Sequence, residues 1–233
     1  SGMLAIVERV SITVSATSVL RRNAVKREFE RFMSKRGVII ANTGTPDVPE
    51  ADAVRAYLAE FLQDPRICPL PAPLWKIILH AFILPKRAHA SAEKYRQIWT
   101  PQGSPLQSGM ASLAHKLQAS FNEQDKATLV RHGMSYGSPS IEQALNELKA
   151  EECDELVVLS LYPQNALSTT GVVADKTLAA LNALDWHPQT KLVGYYSAHL
   201  LYLEAIAASI RAAGFDSSAG DKLLFAFHSI PVR

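Results

Sequence analysis

One pattern, repeated along the chain, constrains its fold more than any other. A short apolar run breaks into glycine, proline and hydroxyl residues, and apolar positions at helical spacing follow. Val38–Ala41 opens into Asn42-Thr-Gly-Thr-Pro-Asp47, and Ala127–Val130 runs on through Arg131-His-Gly-Met to Ser135-Tyr-Gly-Ser-Pro-Ser140. Glu155–Leu161 opens into Tyr162-Pro-Gln-Asn-Ala-Leu-Ser-Thr-Thr-Gly171, and Lys191–Tyr196 begins a further run. In the last, Lys222–Phe227, five of six residues are apolar before the chain turns polar at His228-Ser-Ile-Pro231. Runs this short and apolar suit strands buried on both faces. Alternation with helices predicts α/β architecture: parallel strands, right-handed crossovers, and polar strand ends gathered on one edge, where open sheets hold ligands.

The intervening segments carry helix signals. Ala51, Val54, Tyr57, Leu58 and Phe61 form a stripe that Asp64-Pro65 terminates, leaving Arg66 just beyond the helix, free to meet a carboxylate or to lie in solvent. Leu113–Phe121 reads as a short amphipathic helix. Ser140 with Gln143 makes a capping-box pattern ahead of Ile141, Ala144, Leu145 and Leu148. Leu178, Leu181 and Leu184 mark another helix, and Leu203–Ile210 the last. Ser168 and Thr169 stand at a helix start, where hydroxyls either cap or bind an anion. Tyr136 either packs beneath its turn or faces a ligand, and Gly44 either makes a tight turn or lets the backbone approach one.

Residues 69–85 are apolar nearly all round, with Lys76 and His80 as interruptions. The segment is short of the roughly 18 residues a membrane span needs. It fits a core helix or a greasy lip against a membrane surface or a flat hydrophobic ligand. The segment from Met3 to Arg36 is basic, with Arg9, Arg21, Arg22, Lys26, Arg27, Arg31, Lys35 and Arg36 against Glu8, Glu28 and Glu30. Three readings fit it: an organelle transit peptide, an extension upstream of a start at Met33, or a surface helix. Ser1-Gly2 has the character of an expression scar.

With 233 residues, 48% hydrophobic and 20% charged, the chain accommodates one large or two modest domains. A net charge of +2 gives no indication of nucleic acid as a partner. Cys68 and Cys153 lie too far apart in sequence for a CxxC motif, so neither a disulfide framework nor a four-cysteine metal site is expected within the chain, and a reducing compartment fits best.

Five stretches, taken in order, resemble the ferrochelatases, which insert ferrous iron into a porphyrin in haem synthesis. They are Gly44-Thr-Pro46, Tyr95-Arg96 with Gly103-Ser-Pro105, Tyr136-Gly-Ser-Pro-Ser140, Leu161-Tyr-Pro-Gln164 with Ser168-Thr-Thr-Gly171, and Phe227-His-Ser-Ile-Pro231. The resemblance implies two similar Rossmann-like domains with parallel sheets and the porphyrin between them. The expected division is an extension at 1–36, a first domain at 37–188 and the beginning of a second at 189–233. His228 is similar to the family's catalytic histidine, which takes pyrrole protons or receives the metal. Thr43, Tyr136, Tyr162, Ser168 and Thr169 resemble substrate-binding positions, and Arg66 a basic position at the porphyrin edge. Residues 69–85 resemble the segment that covers the macrocycle and contacts membrane.

The resemblance further implies ferrous iron as substrate, no resident prosthetic group and no iron–sulfur cluster within this chain. The expected location is cytoplasmic or peripheral to a membrane, or an organelle if the basic arm is a transit peptide. Ser135 stands where many members carry arginine, and Asn165 where many carry tyrosine. The family continues for a further half domain and holds there the acidic partner of its histidine. The expectation is therefore a truncated ferrochelatase with little or no insertion by this chain alone. A ferrochelatase-like porphyrin- or haem-binding protein without catalysis, a cobalt-inserting chelatase, and an unrelated α/β transferase are the alternatives.

Overall fold

A computed structural model describes residues 34–66, 71–124 and 127–227. The basic arm up to Met33, Cys68 and His228–Arg233 lie outside the described residues. The chain separates into two compact units between Gly194 and Tyr195.

The first unit is a four-stranded parallel sheet in the order β2-β1-β3-β4. Its strands are β1 (Arg36–Gly44), β2 (Thr128–Tyr136), β3 (Glu155–Ser160) and β4 (Gln189–Val193). The helices are α1 (Ala51–Gln63), α2 (Ala72–Ile78), α3 (Leu84–Ile98), α4 (Pro105–Gln124), α5 (Ile141–Ala150) and α6 (Val172–Ala183). β1 is central, and its two faces explain the unbroken apolar run. Ile39 and Ala41 face α5 and α6, packing with Leu145, Leu148, Val173 and Leu181, whereas Val38 and Ile40 face α4, packing with Met110 and Ala114. Both isoleucines are fully buried. A parallel strand covered on both sides has no polar face to show.

The capping box forms as the spacing predicts: Gln143 N donates to Ser140 Oγ at 3.1 Å, and Ser140 N to Gln143 Oε1 at 2.7 Å. The segment expected as a lip is one helical stretch. α2 passes through a π-turn, Leu79–Ile83, into α3. It is two-faced: Leu79 and Leu84 are buried while Leu74, Ile77 and Phe82 are 57%, 64% and 65% exposed. No described helix is long and apolar enough to cross a membrane.

Two readings of the later chain are corrected. β4 pairs with β3 in the register Glu155↔Gln189, so residues 189–193 complete the first sheet and do not open a second domain. In the second unit, Lys222–Phe227 is not a strand among the described residues. Leu224 is 90% and Phe227 82% exposed, and the other described elements of the unit are α7 (Leu200–Ala212) and a 3-10 turn, Ser217–Ala219. Apolar character favours burial, but a strand exists only where another strand accepts its hydrogen bonds, and none is described in this unit.

Candidate functional site

Parallel registration places the polar strand ends on one edge. Gly44 stands opposite Tyr136, and Ala41 opposite Ser160, so Thr43, Tyr136 and Tyr162 leave the sheet together. Gly44 makes this possible. Its φ is +116°, and a Cβ there would stand 1.8 Å from the carbonyl oxygen of Tyr136.

Thr43 Oγ1 and the Tyr162 hydroxyl are hydrogen-bonded across the ends of β1 and β3. Tyr57, from α1, donates its hydroxyl to the Gly44 carbonyl at 3.1 Å, with Tyr95 of α3 close by. Burial, with Tyr95, Tyr162 and Glu60 close by, pushes the Tyr57 phenol well above its ordinary range, and burial raises Tyr95 and Tyr162 as well. These phenols are therefore neutral at physiological pH and act as hydrogen-bonding groups of a partly apolar wall.

Tyr57 joins this group to a second one. Its ring stacks on Phe61 at 6.1 Å, and Phe61 meets the ring of Tyr136 edge-on at 5.1 Å. Tyr136, 2% exposed, donates its hydroxyl to Asp64 Oδ2 at 2.8 Å, and burial and that carboxylate together hold its phenol protonated. The other oxygen, Oδ1, accepts the backbone N–H of Arg66 at 2.8 Å. Arg66 Nε donates to Asp175 Oδ2 at 2.6 Å, and Nη2 reaches the same oxygen. Lys176 pairs with Glu60 Oε1 at 2.8 Å and lies 4.4 Å from the centre of the Tyr136 ring, while Glu60 Oε2 accepts the N–H of Gly137 at 3.0 Å.

Ser168 and Thr169 lie in a π-turn, Leu167–Gly171, ahead of α6, and both are half-buried. Thr169 Oγ1 donates to the Ala166 carbonyl at 3.3 Å. The hydroxyl that holds the turn together is Thr170, 7% exposed, which bonds Asn165 Oδ1 at 2.5 Å and accepts the N–H of Ala166 at 3.1 Å. Behind the glycine turns lies an open recess of about 520 Å³ lined by Thr45, Asp47, Gly103, Gln107, Ser138 and Glu147, and none of the expected site residues among the described ones lines it.

The fold thus brings Thr43 and Tyr162 into contact, and ties Tyr136 to Arg66 through Asp64. His228 lies outside the described residues. Among the described residues, no group of three or more His, Cys, Asp and Glu is placed to hold a metal. Glu60, Asp64, Asp175 and Lys176 were not foreseen from the sequence. Only Asp64 left a signal there, since an aspartate before proline at a helix end commonly accepts a backbone N–H two residues on.

Residues 35–233 match the family model described as ferrochelatase. The chain belongs to the ferrochelatase family. It is 42% identical over 201 residues to the ferrochelatase of Nitrosococcus oceani, an alignment covering 86% of this chain and 55% of that protein. The chain therefore spans about half the length of this curated ferrochelatase. All of the wall from Thr43 to Lys176 falls within the residues that match the ferrochelatase model.

Proposed function

We propose that this protein serves iron insertion into a porphyrin, protoporphyrin or coproporphyrin, in haem biosynthesis, with the macrocycle against the edge that carries Thr43, Tyr136 and Tyr162. The observation that carries this reading is the match to the ferrochelatase model over residues 35–233, which takes in that edge and His228 alike. Neutral phenols and aromatic rings suit a flat apolar macrocycle, and Arg66 suits the propionates at its rim. Ser168 and Thr169 lie in the turn whose Gly171 meets the Arg66 guanidinium.

Ferrous iron is the substrate metal, and it stays ferrous: as it enters, two pyrrole N–H bonds break and their protons leave. His228 is the group assigned to take a pyrrole proton or to receive the metal first. Both roles require a neutral imidazole. The exposed side chains Leu74, Ile77 and Phe82 form the lip, covering the macrocycle or resting on a membrane surface.

The test is anaerobic ferrous or zinc insertion by the 233-residue chain, followed by porphyrin absorbance, with His228→Ala as control. Saturable porphyrin binding is the expected result. Turnover abolished by His228→Ala extends the reading to catalysis by this chain, and absence of porphyrin binding overturns it.

A further inference from the structure

We propose that Asp175 is an internal stand-in for a ligand carboxylate, holding Arg66 until an acidic group of the bound molecule displaces it. The inference rests on the porphyrin reading above only in naming that group as a propionate.

Arg66 is aimed from two sides. Asp64 Oδ1 fixes its backbone N–H at 2.8 Å, and its guanidinium lies on the Leu167–Gly171 turn, where a Cβ on Gly171 would stand 2.9 Å from Nη1. The absence of a side chain at Gly171 is what lets the cation rest there. The partner it meets is a poor match for a guanidinium. Nε and Nη2 both point at one oxygen, Asp175 Oδ2, in place of the two-oxygen fork that makes arginine–carboxylate recognition strong. The two side chains are 31% and 54% exposed, and ion pairs this wet hold weakly.

Release does not strand Asp175 either. Its side chain is 54% exposed, so water solvates the carboxylate once the arginine leaves. The neighbouring cation behaves differently. Lys176 pairs with Glu60 at a similar exposure, 33% and 48%, but its ammonium also lies 4.4 Å from the centre of the Tyr136 ring, a second side-chain contact that ties it to the wall. Arg66 is the cation of this cluster built to change partners.

The experiment uses the 233-residue chain and two forms of one porphyrin, the free dicarboxylic acid and its dimethyl ester. Asp175→Asn keeps the shape but weakens the internal competitor. The result expected is free-acid binding about two- to fivefold tighter, the worth of an exposed ion pair, with ester binding unchanged. Equal gains for acid and ester, or no gain for the acid, overturn the proposal.

A second readout separates it from the porphyrin reading: the ¹⁵N–¹H signal of Arg66 Nε during titration with succinate. In Asp175→Asn that signal should move at severalfold lower succinate than in the parent. If the parent binds no porphyrin, the porphyrin reading fails and the succinate titration alone decides, an unmoved Arg66 signal counting against the stand-in.

Discussion

Gly44→Ala should be among the most damaging single-atom additions to this protein. The φ of +116° at Gly44 lies where a side chain costs about 1–3 kcal/mol in backbone strain. The new Cβ would also stand 1.8 Å from the Tyr136 oxygen and 2.9 Å from its carbonyl carbon. Those are main-chain atoms of the paired strand and cannot rotate aside, so the ends of β1 and β2 must part, losing at least one or two hydrogen bonds of about 1 kcal/mol each. The total is about 2–5 kcal/mol. Gly103→Ala supplies the comparison: φ is +94°, but nothing lies within 4 Å of the added carbon, so only strain of about 1–2 kcal/mol remains. Urea denaturation measures both. At a slope of about 2 kcal/mol per molar, Gly44→Ala lowers the midpoint by roughly 2 M and Gly103→Ala by less than half of that. Equal shifts would refute the steric argument.

Three further outcomes are expected. Ser140→Ala removes the side-chain acceptor of the α5 capping box and should cost about 1 kcal/mol in the same denaturation assay. Leu145→Ala, at a fully buried position between α5 and the sheet, should cost about 2–5 kcal/mol, with the midpoint moving and the slope unchanged. The phenols of Tyr57 and Tyr136 are raised in the folded state, so between the ordinary value of about 10 and their folded values the unfolded chain has lost protons the native chain keeps. Stability should therefore be intact below pH 10 and fall as pH rises beyond it. Urea midpoints at pH 9, 10 and 11 measure this, and a midpoint that does not fall would contradict the buried assignment.

The sheet was legible wherever local pattern and tertiary demand coincide. Ile39 and Ile40, adjacent and both buried, read as a strand covered on two sides, and Ser140 with Gln143 announced the start of α5. Pairing was less legible, because nothing near Gln189 records that its neighbour is Glu155, and nothing in Leu223-Leu-Phe-Ala-Phe227 records whether another strand lies alongside. The run from Ala72 to Ile98 was obscured for a local reason. Pro73 and Pro85 look like breakers, yet each sits in the first two positions of a helical segment, and the π-turn before Pro85 accommodates its missing N–H. In the site, Arg66 was legible as an unspent cation. Its partner Asp175 was not, being 109 residues away. Ser168, Thr169 and Thr170 are equivalent as letters, and burial alone selects Thr170 to hold the turn.

The most direct test of the account is a porphyrin titration of the 233-residue chain, following the main absorbance band, for the parent, Arg66→Ala and Arg131→Ala. Arg131 carries the same charge but is paired with Glu147 at 2.5 Å, apart from the wall of Thr43, Tyr136 and Tyr162. The account predicts saturable binding that Arg66→Ala weakens roughly tenfold or more, the loss of charged hydrogen bonds, and that Arg131→Ala leaves unchanged. No binding, or equal weakening by both substitutions, would contradict the assignment of this edge to the porphyrin.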